Sequence, residues 1–139
     1  MTAPRISHQL ESSLYVADLD RSEAFYHRVF GFETLLSEPR MVGLAIPGGS
    51  VLLLFRRGGS VEPSPMPGGV IPPHDGQGTL HLCFAIPLAA LRDWETHLDQ
   101  LGIPIESRVV QSFGGTSLYF RDPDGHSLEV AVPGLWATY

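Results

Sequence analysis

Glu11, His81 and Glu129 are the side chains of this sequence best suited to gripping a divalent metal ion. Together they offer two carboxylates and one imidazole, an oxygen-rich donor set that suits Mn, Ni, Co, Zn, Mg or Fe with positions left open for water or substrate. An ion held this way acts as a Lewis acid on neighbouring substrate oxygens. O₂-activating iron sites favour two imidazoles with one carboxylate, so this set leans away from oxygen chemistry. Each residue also has a plainer reading. Glu129 fits an exposed strand carboxylate, and His81, set between leucines, fits a hydrogen-bonded core histidine. Without a metal, the three would leave costly unpaired charge in an otherwise apolar cavity.

The elements that must position these residues follow from the hydrophobic pattern. Residues 10–17 alternate as a strand, with Glu11, Ser13 and Tyr15 on one face and Ser12, Leu14 and Val16 on the other. Asp18 or Asp20 then offers a helix N-cap, Glu23 completes a capping box with Asp20, and Ala24, Phe25, Val29 and Phe30 form an apolar stripe ended by Gly31. Strands follow at residues 32–37, 41–46 and 51–55, the last two joined by Pro47-Gly48-Gly49. Between Arg56 and Gly78, prolines and glycines are too dense for a regular element, which predicts a linker or lid.

The same order then returns. Residues 80–86 read as a strand and 88–101 as a helix with Leu91, Trp94 and Leu98 on one stripe, stopped by Gly102. Strands are predicted at 103–110, 116–121 and 127–132, with Asp122-Pro123-Asp124-Gly125 as the turn before the last. The chain is therefore expected to be α+β: two βαβββ half-modules forming a curved eight-stranded sheet around a central cavity, helices on the outside. Its expected layout is one domain over 1–139, with modules at 8–57 and 79–133 and a linker or lid at 58–78. Superposing the halves sets Glu11 against His81 and Leu53 against Glu129, so three of four equivalent positions hold a potential metal ligand.

Strand parity also predicts the cavity walls. Ser13, Tyr15, Val51, Leu53 and Phe55 share the ligand-bearing face in the first half. Cys83 and Ala131 do so in the second, and Tyr119 joins them if its strand register holds. The lining is mainly apolar, which predicts a small, partly hydrophobic substrate. Tyr15 can donate to a substrate oxygen or simply pack there. His74, in Pro72-Pro73-His74-Asp75-Gly76, is a candidate general acid or base carried by the long loop. His126 is assigned to its turn, His27 and His97 to helix surfaces, and Cys83 to apolar filling rather than nucleophilic attack.

Bulk properties narrow the class. The chain has 139 residues, 43% hydrophobic and 17% charged, enough for a packed core. Its formal charge is −6 with scattered basic residues, which argues against nucleic acid as a partner. One cysteine leaves no intramolecular disulfide and suits a cytoplasmic protein. No secretory leader is apparent near the start, and the apolar runs are strand-sized, so no membrane partner is expected.

The ordered set Leu14-Tyr15-Val16-Ala17-Asp18-Leu19-Asp20, Phe25-Tyr26, Phe30-Gly31-Phe32, His81-Leu82-Cys83-Phe84-Ala85 and Asp122-Pro123-Asp124-Gly125-His126-Ser127-Leu128-Glu129 resembles the vicinal oxygen chelate superfamily. That group includes glyoxalase I, methylmalonyl-CoA epimerase, extradiol dioxygenases, fosfomycin-resistance enzymes and bleomycin-binding proteins. The resemblance spans residues 10–132. It implies metal ligands at Glu11, His81 and Glu129 and a homodimer; with Tyr15 and His74 taken from strand parity and the long loop, the expected catalytic set is Glu129, Tyr15 and His74. Many relatives carry His where this chain has Glu11, and Leu53 stands where glyoxalase I has a further ligand. The function so implied is metal-dependent lyase or isomerase chemistry by bidentate chelation. An extradiol-type dioxygenase and a metal-free binding protein of the bleomycin-resistance kind are the alternatives.

Overall fold

The structure, a computed structural model, describes residues 2–139. The chain divides into two compact units, the first reaching Gln77 and the second running from Gly78 to Tyr139. The class is α+β, and each unit repeats the βαβββ order.

The first unit begins with β1 (Glu11–Val16) and α1 (Leu19–Phe30), followed by β2 (Thr34–Glu38), β3 (Met41–Ile46) and β4 (Ser50–Arg56). The strands pair in the order β1-β4-β3-β2. Of the two candidate caps, Asp18 is the one used: its carboxylate accepts from the Arg21 amide at 3.0 Å. Glu23 forms no capping box, because its carboxylate accepts from the Thr34 hydroxyl. The buried helix face is Ser22, Phe25, Tyr26 and Val29, an i, i+3, i+4, i+7 stripe. This corrects the expected stripe. Ala24 faces solvent, while Tyr26 is fully buried. Gly31 closes the helix at φ 68°, a conformation that favours glycine, and its amide donates to His27 at 2.9 Å.

Residues 58–78 depart from expectation. β5 (Ser64–Met66) and β6 (Gly69–Ile71) form an antiparallel hairpin within them. Pro67-Gly68 lies between the paired Met66 and Gly69, so the residues read as breakers here act as a turn. A two-stranded ribbon has open edges, where the missing amide of Pro65 need cost no ladder bond.

The second unit contains β7 (His81–Ala85), a 3₁₀ turn (Leu88–Ala90), α2 (Leu91–Gln100), β8 (Ser107–Val110), β9 (Thr116–Arg121) and β10 (Ser127–Ala131). Its sheet order is β7-β10-β9-β8. The predicted helix thus starts as a 3₁₀ turn, and β8 starts four residues later than expected, after Pro104.

Register makes the internal repeat explicit. β1 runs parallel to β4 with Glu11 beside Val51 and Ser13 beside Leu53. β7 runs parallel to β10 with His81 beside Ser127 and Cys83 beside Glu129. Glu11 and His81 are therefore equivalent, as are Leu53 and Glu129. The opposite faces carry the cores: Leu14, Val16, Leu52 and Leu54 in one unit, and Leu118, Phe120, Leu128 and Val130 in the other, are fully buried. Period-2 alternation thus sends apolar residues to the core and leaves the other face for chemistry.

Candidate functional site

In the second unit, β7, β9 and β10 bring His81, Tyr119 and Glu129 together along a cavity of about 550 Å³ that Cys83 also lines. His81 Nδ1 sits 2.8 Å from the Ser127 carbonyl oxygen. A carbonyl can only accept, so Nδ1 carries the proton and the ring orientation is fixed. Nε2 then lies 3.3 Å from Glu129 Oε1. Glu129 is only 4% exposed, and its Oε2 is buried without a hydrogen-bond partner. An ionised carboxylate in that position is costly unless a cation compensates it. Metal-binding histidines characteristically donate their second ring N–H to a carbonyl or carboxylate. The pair fits a divalent ion on these grounds.

Tyr119 is paired with Glu129 across β9 and β10, and its ring stacks on His81 at 6.2 Å. This resolves the face of Tyr119 toward the cavity. Its phenol pKa is raised, chiefly by burial. Gln111 was not anticipated from sequence: its amide donates to both Ser117 Oγ (3.0 Å) and Tyr119 Oη (3.1 Å), holding the phenol in place. The Cys83 thiol opens to solvent on one side, yet burial and then the Glu129 carboxylate push its pKa up to about 12. It is a neutral thiol at ordinary pH. Ala131 is buried and is not part of the cavity lining. His126, expected merely in the turn, is fully buried, and its Nδ1 accepts from the Leu80 amide at 2.9 Å, tying the turn to the start of β7.

In the first unit, a cavity of about 650 Å³ is lined by Glu11, Ser13 and Tyr15 from β1 and by Val51, Leu53 and Phe55 from β4. His74 reaches it from the segment after β6. Its Nδ1 lies 2.8 Å from Tyr15 Oη, and its ring packs edge-on against Phe55 at 4.5 Å. The His74 amide donates to the Ser60 carbonyl at 2.9 Å, so this loop histidine is anchored rather than freely solvated. Burial raises the Tyr15 pKa, and the negative charge of Asp75 adds to it. Arg40 also lines the cavity and was missed from sequence, where it is one scattered base in the turn between β2 and β3. Glu11 lies exposed at the start of β1. Within either unit, no group of three or more His, Cys, Asp and Glu side chains gathers around one point among the described residues.

Comparison with known proteins sets this geometry among relatives. A model of the Glyoxalase/Bleomycin resistance protein/Dioxygenase superfamily matches residues 5–130. The solved structure of a lactoylglutathione lyase from Agrobacterium tumefaciens is 37% identical with a TM-score of 0.87, covering 96% of this chain and 99% of that one. The metallothiol transferase FosB of Bacillus licheniformis is 29% identical over 90% of this chain and 73% of its own. The catechol-2,3-dioxygenase of Bacillus subtilis is 31% identical over 86% of this chain, which spans 39% of that protein. These relatives bear enzyme names. No helix among the described residues is long and apolar enough to cross a membrane.

Proposed function

The chain belongs to the Glyoxalase/Bleomycin resistance protein/Dioxygenase superfamily, and we propose that it is a metal-dependent enzyme acting on a small, partly apolar oxygenated substrate. The observation that carries this reading is the His81–Glu129 pair: an imidazole oriented by the Ser127 carbonyl, 3.3 Å from a buried carboxylate whose second oxygen has no hydrogen-bond partner. His81 and Glu129 would hold the ion. A bound divalent ion would supply Lewis acidity toward negative charge developing on the substrate's oxygens.

The remaining roles belong to the chain's own groups. Tyr15 and His74 share a hydrogen bond of 2.8 Å, and with Tyr15 donating to Nδ1 the neutral imidazole keeps its proton on Nε2. The pair can hold or pass a proton at that nitrogen while burial keeps the phenol neutral. Phe55, Val51 and Leu53 supply an apolar wall that excludes water from the substrate body. Lyase or isomerase chemistry is the first reading, supported by the likeness to the lactoylglutathione lyase. An extradiol-type dioxygenase is the second reading, favoured by the likeness to catechol-2,3-dioxygenase. A homodimer is proposed from family resemblance, and the lone free Cys83 suits a reducing cytoplasm.

Elemental analysis of protein purified without chelators tests the proposal. A stoichiometric divalent metal is expected, followed by activity screening with each ion. Protein that neither retains nor takes up such a metal overturns the enzyme reading and leaves a metal-free binding protein in its place.

A further inference from the structure

We infer that Arg40 is an anion-recognition group at one end of the first-unit cavity, selecting a substrate with a monoanionic carboxylate head and an apolar body. The inference deepens the reading of this cavity as a substrate pocket and rests on it.

Arg40 is half-buried, and it precedes β3 at the end of the cavity floor. Its guanidinium donates to two neutral acceptors, the Gly59 carbonyl at 3.1 Å and Ser64 Oγ at 2.6 Å. No carboxylate lies within ion-pair distance of it among the described residues. A guanidinium carries five N–H donors in a rigid fork, so three remain after these two bonds. The two bonds fix the plane of the fork in advance, which suits it to bidentate recognition of a carboxylate.

Register sets the length of the site. Tyr15, Phe55 and Met41 form one rung across β1, β4 and β3, next to Arg40, while Glu11, Val51 and Ala45 form another. The rungs are four residues apart, about 13 Å at the usual strand rise. Between them Gly43 adds no side chain to the cavity, whose floor there is set by its neighbours. A Cβ there would meet Leu36 and Leu53 at 3.7 Å, ordinary contact distances. An elongated apolar body therefore fits between the Glu11 end and the Arg40 end. Arg40 can meet one negative charge, and with Glu11 and Glu62 also lining the cavity a second charge on the ligand would have no cation to face.

Isothermal titration of the full chain in EDTA, comparing octanoate, 1-octanol and octyl phosphate at pH 8, tests this. Octanoate is expected to bind wild type about tenfold tighter than 1-octanol, the worth of one charge-assisted hydrogen-bonded contact, and tighter than octyl phosphate. Arg40→Gln is expected to erase that preference by weakening octanoate alone. Gly43→Val is expected to weaken octanoate and octanol alike. Ser64→Ala removes one anchoring bond without touching the charge and is expected to weaken the preference less than Arg40→Gln does. Equal binding of octanoate and octanol, no binding of either, tighter binding of octyl phosphate, or a preference that survives Arg40→Gln would each overturn the assignment. Because EDTA removes metal from the experiment, its failure leaves the His81–Glu129 proposal standing, and failure of metal binding leaves the octanoate preference standing.

Discussion

Tyr15 Oη and His74 Nδ1 lie 2.8 Å apart, although 59 residues separate them in sequence. The contact exists because the segment after β6 crosses directly over the Tyr15 ring. Gly76 makes the crossing possible: a Cβ there would sit 2.2 Å from Tyr15 Cδ2. No side chain fits such a gap, so either the ring or the backbone would have to move. The pair is thus positioned by a glycine two residues beyond the histidine.

Gly76→Ala is therefore expected to displace the strap and separate His74 from Tyr15. Overpacking of this kind costs about 1–3 kcal/mol. Urea denaturation measures the loss, and the imidazole NMR signals of His74 should shift toward those of a solvated histidine. Wild-type-like spectra in the variant would mean that the strap is not held as described.

A second prediction concerns α1. Asp18 caps the helix through the Arg21 amide, whereas Asp20 lies within its first turn. Asp18→Ala should cost about 1 kcal/mol in chemical denaturation. Asp20→Ala should cost less, since only a favourable charge near the helix N-terminus is removed. Equal losses would contradict the assignment of the cap.

The Cys83 thiol offers a third. With its pKa raised to about 12 by burial and by the Glu129 carboxylate, the thiolate is scarce near neutrality, and alkylation by iodoacetamide at pH 8 in EDTA should be slow. Glu129→Gln removes one of the causes and should speed it. Fast alkylation of wild type would show the thiol to be activated instead.

The limits of sequence reading are physical here. The period-2 pattern placed Glu11, Ser13 and Tyr15 on one face of β1 because alternation along a strand leaves no other choice. The duplicated order was legible through Gly31 and Gly102, each at φ 68° after a helix. The β5–β6 hairpin was not, because proline and glycine mark turns as well as breaks, and local composition does not say which. Tyr26 is a core residue that the apolar stripe omits, because its hydroxyl disguises a ring that packs 5.3 Å from Phe25. Arg40 and Gln111 were invisible for another reason: their partners, Gly59 and Ser64 for one, Ser117 and Tyr119 for the other, are brought to them only by folding. The Ser127 carbonyl that orients His81 is backbone, and no residue type announces it.

The central claim is that His81 and Glu129 hold a divalent ion. Equilibrium dialysis of Mn²⁺, Ni²⁺ and Zn²⁺ against wild type, His81→Ala and Glu129→Gln tests it most directly, with circular dichroism confirming that each variant is folded. Wild type should bind one ion per chain, and each substitution should weaken binding by more than the roughly 10- to 100-fold typical of losing a mere supporting group. Unchanged binding in both folded variants would contradict the account.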